Sequence, residues 1–290
     1  MLAYFAASPA LAIASAFAFG LLVGSFLNVV ILRLPRRLQW QWERDSRELL
    51  EIEAPADTPE AAPPGIVVER SHCPKCGHAL AAWENIPLLS FLALGGKCRG
   101  CKTPISWQYP AVELITGVLF ALVVWRFGLG YQSLAALAFT ALLVAMSGID
   151  LRTTLLPDDL TLPLLWLGLL LSLVPVFAAP TQAILGAVVG YLSLWSVYWA
   201  FKLLTGKEGM GYGDFKLLAA IGAWCGVSAI LPVLLMSSLV GAVIGSIWLA
   251  LKGRDRATPI PFGPYLAVAG WIQLFWGADL LKAYLDFAGL

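Results

Sequence analysis

Long stretches without charge constrain this chain more than any other feature of its sequence. Five such runs occupy residues 1–32, 127–149, 160–201, 217–251 and 257–278. Each reaches the roughly 20 residues that a helix needs to cross a bilayer, and two are long enough to fold back on themselves. Together with 59% hydrophobic and only 13% charged residues and a mean hydropathy of +0.79, these runs predict an all-α polytopic membrane protein.

We expect about eight transmembrane helices. A shorter apolar run at 114–125 adds one span if it extends toward Pro110 and Leu129. The sixth predicted helix is short. The predicted helices cover about residues 10–32, 110–129, 132–149, 160–178, 183–203, 214–227, 229–251 and 262–281.

The basic residues set the predicted orientation. With eight spans and the N-terminus outside, 17 of the 19 Lys and Arg residues fall on the cytosolic side, whereas Arg126 and Lys282 fall outside. The loops after the first one favour the same orientation by 7 to 2, as the positive-inside rule requires. We therefore expect both termini to face outward. A net charge of +1 gives no reason to expect a nucleic-acid partner.

The sequence changes character after the first run. Residues 1–32 lack the basic start of a secretory signal and are about twice as long as its apolar core, so they are predicted to remain as the first transmembrane helix. Charges of both signs follow, with a predicted surface helix at 40–52 and a Pro-rich linker at 54–65. We expect a cytosolic loop domain at 33–109 and a seven-helix membrane domain at 110–290.

Two C-x2-C pairs, Cys73 with Cys76 and Cys98 with Cys101, lie 21 residues apart in the loop domain. The spacing is close to that of a four-cysteine zinc ribbon, in which each tight turn presents two sulfurs. Disulfides are the alternative, but a reducing cytosol disfavours them. A closed four-sulfur site leaves no position for water, so we expect a structural zinc ion. The fifth cysteine, Cys225, is predicted to be a small apolar filler.

Two acids, Asp150 and Asp214, border uncharged runs. Ionised groups at membrane depth are costly unless they are paired or wetted, which makes such acids candidate functional residues. Asp150 closes a predicted helix, where a negative charge opposes the helix dipole. Asp214 opens another, and helix capping is its alternative role. If packing brings both to one depth, one carboxyl retains a proton while the other activates a water molecule, because two adjacent carboxylates cannot both ionise cheaply.

Three alternating glycines, Gly209, Gly211 and Gly213, lead into Asp214. Glycines permit backbone conformations that the close approach of a second chain needs, so we expect this loop to adjust around an extended substrate. The G-x-G-x-G spacing has no preceding strand pattern and no acidic partner at the right distance. It therefore does not match a dinucleotide fingerprint.

Other polar residues near the predicted spans have structural explanations. Asp158 and Asp159 precede a predicted helix and can cap its free backbone N–H groups. Glu113 is expected to pair with a nearby arginine or to line a polar cavity. Asn28 is expected to bridge helices by hydrogen bonding.

Several motifs along the chain resemble, in their order, those of one known family: the type IV prepilin peptidases, which are membrane aspartic proteases of the G-x-G-D type. The match covers most of the chain from residue 24 onward. The motifs are G-S-F-L-N-V-V-I-L-R-L-P at 24–35, S-H-C-P-K-C-G-H at 71–78, E-N-I-P at 84–87, G-K-C-R-G-C-K-T-P-I-S at 96–106, I-D at 149–150 with L-P-D at 156–158, G-M-G-Y-G-D-F-K-L-L-A at 209–219, and P-F-G-P-Y at 261–265.

The resemblance implies that Asp150 and Asp214 are the two catalytic aspartates. It also implies that the chain cuts the leader from type IV prepilins, or from pseudopilins of type 2 secretion, after a glycine at the cytosolic face of the bacterial inner membrane. N-methylation of the new terminal residue with S-adenosylmethionine is implied as well, but the motifs name no residue that binds this methyl donor. One departure is Arg152, where the family commonly has a further acid.

Three other classes of protein share part of these features. A proton or ion transporter also carries acids within the membrane, but nearer its midplane and often in repeated halves. A presenilin-like intramembrane protease shares G-x-G-D but does not need the cysteine loop. A membrane-anchored zinc-ribbon module leaves Asp150 and Asp214 unexplained. A prepilin peptidase accounts for the membrane acids, the G-x-G-D motif and the cysteine loop together. Such a protein has membrane lipid around it and pilin precursors as partners.

Overall fold

The computed structural model describes residues 8–52, 61–252 and 260–288. These ranges are helical and contain no strand; extended pairing within them is limited to isolated bridges, such as that between His72 and Ala79. Short 3₁₀ helices lie at Ala82–Asn85 and Val227–Ala229. The α-helices are α1 Pro9–Leu49, α2 Leu89–Ala93, α3 Gln108–Phe127, α4 Tyr131–Thr153, α5 Asp158–Ser172, α6 Pro180–Thr205, α7 Tyr212–Cys225, α8 Ile230–Lys252 and α9 Gly263–Ala288.

Some of these helices are long enough to cross a membrane, and others are not. α5 and α7 have 15 and 14 residues, fewer than the roughly 20 that cross a bilayer unaided. The all-helical membrane class is confirmed, whereas eight spans stay a prediction. Length and apolar composition identify five candidate spans in the described chain, at Pro9–Leu49, Gln108–Phe127, Tyr131–Thr153, Pro180–Thr205 and Val227–Ile247.

The first helix is longer than the sequence predicts. α1 continues to Leu49 as one helix of 41 residues, whereas a break after residue 32 and a separate surface helix at 40–52 were expected. Pro35 lies inside α1. Its ring removes one backbone hydrogen bond, the one to the carbonyl of Ile31, and the Arg, Gln, Glu and Leu residues that follow favour helix.

The loop after α1 is tied back to it by two arginines. The guanidinium of Arg33 donates to backbone carbonyls within residues 65–70, and that of Arg37 donates to the carbonyl of Pro63. The described end of the predicted linker is therefore attached to α1. The part of the linker at 54–60 lies outside the described residues, as do Arg254 and Arg256 of a predicted cytosolic loop.

Contacts divide the chain into two compact units, residues 1–129 and 130–290. In the first unit α1 packs along α3, and glycines bring the two backbones together. A Cβ atom on Gly20 would lie 2.8 Å from the Cα of Gly117, and one on Gly24 would lie 2.7 Å from the Cα of Glu113. Small residues at this spacing are typical of tightly packed membrane helices. The expected boundary after residue 109 had instead grouped α3 with the later helices.

The second unit is built around α7. Most of its side chains from Asp214 to Trp224 are buried, and a helix that is apolar all round belongs in the centre of a bundle. α5, α6 and α9 pack against it. The indole N–H of Trp224 donates to the carbonyl of Leu164 at 2.8 Å, which ties α7 to α5. This central helix brings Asp214 into the interior of the unit.

Candidate active site and cysteine cluster

Asp150 lies in the last turn of α4 and is buried, with 4% of its surface exposed. Its Oδ2 accepts a hydrogen bond from the backbone N–H of Gly263, the first residue of α9, at 2.8 Å. A Cβ atom on Gly263 would lie 2.7 Å from that oxygen, which is closer than side-chain atoms pack. The absence of a side chain at Gly263 therefore allows the backbone to reach Asp150.

Asp214 occupies the first turn of α7 and is 8% exposed. The N-cap of α7 is Gly211, and no side chain caps this end, so the alternative role of Asp214 as an N-cap is wrong. The charge of Asp150 acts on the carboxyl group of Asp214. Unit 2 thus brings two buried acids together, although 64 positions separate them in the sequence.

Leu156 packs between the two acids. A Cβ atom on Gly213, the neighbour of Asp214, would lie 2.6 Å from the Cβ of Leu156, and one on Gly263 would lie 3.1 Å from the Leu156 side chain. Leu156 itself is buried. Leu156 belongs to the α4–α5 connection, so these contacts pack that connection against the start of α7 and the start of α9.

The other two glycines of the loop differ from Gly213. A Cβ atom on Gly209 would lie 2.9 Å from the ring of Phe201, whereas one on Gly211 would meet its nearest atom, the nitrogen of Gly213, at 4.0 Å. None of the three has positive φ. These glycines therefore do not adopt the unusual backbone conformations that the sequence analysis associated with them. Gly209 and Gly213 instead leave room for the neighbouring side chains of Phe201 and Leu156.

Two ion pairs join the segments around the starts of α5 and α7 in unit 2. The ammonium group of Lys216 lies 2.6 and 2.8 Å from the carboxylate oxygens of Asp158, which links the starts of α5 and α7. Asp158 does not cap α5, whose N-cap is Pro157 and which has no side-chain cap, so the capping role predicted for Asp158 and Asp159 is wrong. Lys202 lies 2.8 Å from Glu208 and ties the end of α6 to the glycine loop.

The four cysteines of the two C-x2-C pairs converge in unit 1. Their sulfur atoms all lie within 4.8 Å of one another, with 3.8 Å between Cys73 and Cys101 and 3.9 Å between Cys76 and Cys98. Four thiolates around a tetrahedral zinc ion at about 2.3 Å would lie about 3.8 Å apart. The donor set and its spacing therefore fit a metal ion such as zinc.

The two cysteine turns have the same backbone design. In each, the N–H of the first cysteine, Cys73 or Cys98, donates to the carbonyl five residues later, and its own carbonyl accepts from the N–H four residues later, all at 2.9 Å. The residue after the second cysteine has positive φ in both turns, 71° at Gly77 and 58° at Lys102. This repeated geometry aims both pairs of sulfurs at one point.

Local hydrogen bonds favour the thiolate form at Cys101 and Cys73. The hydroxyl and backbone N–H of Thr103 lower the pKa of the Cys101 thiol to about 6, and the backbone N–H groups of Lys75 and Cys76 lower the pKa of Cys73. At Cys76 the backbone N–H of His78 acts in the same direction, but burial and the three other thiols outweigh it and raise the pKa to about 11. A thiolate, not a thiol, is the metal ligand. Backbone and hydroxyl donors therefore reduce the cost of deprotonation on metal binding at Cys101 and Cys73.

Glu84 stabilises the segment that follows the first cysteine pair. Its Oε2 accepts from the backbone N–H of Ala81 at 2.7 Å and lies 3.2 Å from Nε2 of His78. The Ala81 N–H, followed by His78, lowers the pKa of Glu84. The carboxylate consequently fixes the chain that runs from the first cysteine pair into the 3₁₀ turn.

Comparison with known proteins shows the family to which the chain belongs. Residues 18–127 match the model of the bacterial peptidase A24 N-terminal domain, and residues 137–246 match the model of the type IV leader peptidase family. A protein of Xanthomonas campestris named prepilin leader peptidase/N-methyltransferase is 63% identical over 97% of both chains. This chain belongs to the type IV leader peptidase family.

Two further relatives carry the same name. The protein of Pseudomonas aeruginosa is 53% identical over 100% of this chain and 99% of its own length. That of Aeromonas hydrophila is 55% identical over 93% and 92%, respectively. No solved structure matches the chain significantly. The resemblance to prepilin peptidases seen in the sequence motifs is confirmed.

Sequence reasoning missed two features of the surroundings of the acid pair. The P-F-G-P-Y motif was noted only as part of the family resemblance, although Gly263 in it donates to Asp150. Leu156 was not singled out either, although it contacts both sides of the acid pair. The sequence did contain a signal, since a glycine lies between two helix-breaking prolines, Pro261 and Pro264. Such a position indicates a backbone group, and not a side chain, as the hydrogen-bonding partner.

Proposed function

We propose that this family member is a bifunctional membrane enzyme. It cuts the leader from type IV prepilins or type 2 secretion pseudopilins after a glycine, and then N-methylates the new terminal residue. Family membership and the shared name of the relatives support both activities. The observation that carries the cleavage half is the buried pair of Asp150 and Asp214.

The proposed chemistry is that of an aspartic protease. A backbone N–H can only donate, so Oδ2 of Asp150 acts as an acceptor from Gly263 and its Oδ1 remains for reaction. One carboxylate takes a proton from water as the water oxygen attacks the scissile carbonyl, while the protonated partner donates its proton to the carbonyl oxygen. Collapse of the tetrahedral adduct breaks the C–N bond, and a carboxyl proton passes to the leaving amine.

The glycine loop is the proposed approach for substrate. Space beside Gly211 allows an extended leader to run close to the backbone near Asp214, while Gly209 and Gly213 keep Phe201 and Leu156 in place. Apolar helix surface on the bundle, such as exposed Leu203 and Leu204 of α6, suits the apolar segment of a pilin precursor. Substrate would thereby reach the acids from the lipid and the cytosol together.

We assign a structural zinc ion to Cys73, Cys76, Cys98 and Cys101, whose sulfur spacing supports it. The ion would cross-link a loop with little apolar core of its own. S-adenosylmethionine would supply an electrophilic methyl group for the second reaction. The motifs of the sequence assign no residue to it.

The proposed setting is the bacterial inner membrane. We keep eight spans with both termini in the periplasm, a first span from residue 1 to 32, a cytosolic zinc-knuckle domain at 33–109 and a peptidase domain at 110–290. The distribution of basic residues supports this orientation. It directs the α4–α5 connection and the glycine loop, and hence both acids, toward the cytosol.

One assay tests the whole proposal. Purified protein in detergent or lipid is mixed with a prepilin and S-adenosylmethionine, and the product is analysed by mass spectrometry. We expect a pilin that has lost its leader at a glycine and gained about 14 Da. Intact prepilin after prolonged incubation would contradict the peptidase function, and cleavage without added mass would contradict the methyltransferase function.

A further inference from the structure

A second pair of buried polar side chains lies in unit 1, whereas Asp150 and Asp214 belong to unit 2. Asn28 of α1 is 1% exposed, and Glu113 of α3 is 7% exposed. The amide nitrogen of Asn28 donates to the carbonyls of Gly24 and Tyr109 at 3.2 and 3.1 Å. Tyr109 precedes Glu113 by one helical turn, and Gly24 packs directly against the Glu113 backbone. Both side chains therefore occupy one part of the α1–α3 interface.

Glu113 has donors around it that carry no charge. Its Oε2 accepts from the backbone N–H of Leu88 at 2.9 Å, and the hydroxyl of Ser25 lies beside it. The arginine partner that the sequence analysis offered for Glu113 is not among these contacts. Leu88 has a φ of 58°, a sparsely populated conformation that is strained for a residue with a side chain. The loop thus holds a strained residue with its N–H toward the carboxylate.

Asn28 contributes an acceptor that is not satisfied. Its Oδ1 is buried and has no hydrogen-bond partner among the described residues. Leaving a buried acceptor unpaired forfeits its hydration without replacement, so such atoms in folded proteins are normally matched by a hydrogen-bond partner, which can be an ordered water. Both amide hydrogens of Asn28 already bind carbonyls, which fixes the direction of Oδ1. The amide therefore presents a preoriented acceptor.

The Glu113 carboxylate and the Asn28 amide oxygen together determine which kind of chemical group could bind here. A carboxylate without a cationic contact and an amide oxygen without a donor both favour a group with positive charge and several N–H bonds. A protonated primary amine has this combination. Ser25 and Leu88 beside the pair are half-buried, so the pair lies close to the surface of unit 1.

We propose that Asn28 and Glu113 bind an ammonium group used in the methylation step. This inference rests on the proposed function, because that step involves two molecules with a primary amine: the new N-terminus of the cleaved pilin, and the amino-acid part of the methyl donor. The proteolytic acids belong to unit 2, whereas this pair belongs to unit 1. The two activities then use separate polar sites of the same chain.

The test uses the full-length protein and three variants. Glu113→Gln removes the charge and retains an acceptor for Leu88, and Asn28→Ala removes the free acceptor. Thr116→Val is the matched control, since Thr116 is a fully buried residue one turn further along α3 whose hydroxyl only bonds the carbonyl of Val112. Cleavage of prepilin by each preparation, which depends on unit 2, reports that the chain is folded.

Binding of S-adenosylhomocysteine is measured first, by equilibrium dialysis without peptide. This molecule keeps the amino group and lacks the sulfonium charge. Loss of a charged hydrogen bond should weaken its binding about 10- to 100-fold in Glu113→Gln and Asn28→Ala, and this result assigns the site to the donor. If binding is unchanged, a similar rise in KM for a precleaved pilin peptide assigns it to the substrate amine.

Two results separate this inference from the proposed function. Wild-type binding and wild-type KM in both Glu113→Gln and Asn28→Ala, or equal losses in Thr116→Val, would overturn the ammonium site and leave the methyltransferase function standing. Failure of the wild-type chain to methylate cleaved pilin would instead contradict the proposed function itself.

Discussion

Gly263 occupies a position where the protein has no room for a side chain. Its N–H bonds Oδ2 of Asp150, and a Cβ atom there would lie 2.7 Å from the same oxygen. One backbone donor therefore both fixes the rotamer of Asp150 and requires a glycine. Catalytic groups held to within a fraction of an ångström by such contacts are sensitive to small displacements.

Gly263→Ala should consequently displace Asp150 and reduce the rate of leader cleavage about 100-fold, the order of loss that follows a displacement near 1 Å. Gly130→Ala is the matched control, because a Cβ atom on Gly130 meets nothing within 4 Å. Initial rates of prepilin cleavage, followed by gel electrophoresis, check the prediction. Equal rates in the two variants would show that the Gly263 contact does not position the acid.

Asp150 and Asp214 could be selected from sequence because charge at the edge of an apolar run is costly and rare. Asn28 was expected to bridge helices by hydrogen bonding, and its bond to the carbonyl of Tyr109 in α3 is of that kind, whereas its bond to Gly24 stays within α1. The partner of Glu113 could not be predicted. Leu88 lies 25 positions away in a loop. No local sequence pattern predicts that a backbone N–H will be the partner of a buried carboxylate.

At the scale of elements, the cysteine turns form by short-range rules. A C-x2-C turn closes on its own backbone hydrogen bonds, and the second turn repeats the first. The sulfur cluster could therefore be predicted from spacing alone. The loop between the turns carries little apolar core, so its stability depends on what the sulfurs bind.

We expect one zinc ion per chain. Cys98→Ser/Cys101→Ser should abolish metal binding and increase proteolysis of the loop, because two of four ligands are lost. Cys225→Ser is the control, since Cys225 lies in α7 in the other unit and contributes no sulfur to the cluster. Metal content by plasma mass spectrometry checks this. Full zinc occupancy in the double variant would refute the ligand assignment.

The length of α1 shows where element prediction failed. The helix end was predicted at residue 32 because the uncharged run stops there, and Pro35 shortly after it is of a residue type that usually interrupts helices. The structure accommodates Pro35 at the cost of one backbone bond, and Arg33 and Arg37 attach the returning loop to the same helix. These tertiary bonds involve residues about 30 positions apart and leave no local sequence signal.

At the scale of the whole molecule, the division between units differs from the one that the motifs suggested. A boundary after residue 109 follows the end of the cysteine loop, whereas the contacts divide the chain after residue 129. Close backbone contact at Gly20 and Gly24 attaches α3 to α1. Apolar runs predict that helices exist, but which helices pair depends on the fit of their surfaces.

Orientation in the membrane is a further prediction at this scale. A reporter fused after Lys207, in the glycine loop, should be active only as a cytosolic reporter, and one fused after Gly128 should be active only outside, because the basic residues favour that arrangement. Paired alkaline phosphatase and fluorescent protein fusions measure both sides. Phosphatase activity at position 207 would contradict a cytosolic active site.

The central claim is that Asp150 and Asp214 act together in cleavage. Its most direct test is the cleavage rate of a prepilin by purified Asp150→Asn and Asp214→Asn, with Asp159→Asn, an exposed acid on α5, as control. Asparagine keeps the size of each side chain but cannot take a proton from water, so we expect each dyad variant to lose cleavage by a factor of about 10⁴ or more and the control to stay near wild type. All should retain zinc and methylate a precleaved pilin. Near-wild-type cleavage by either dyad variant would contradict the aspartic mechanism.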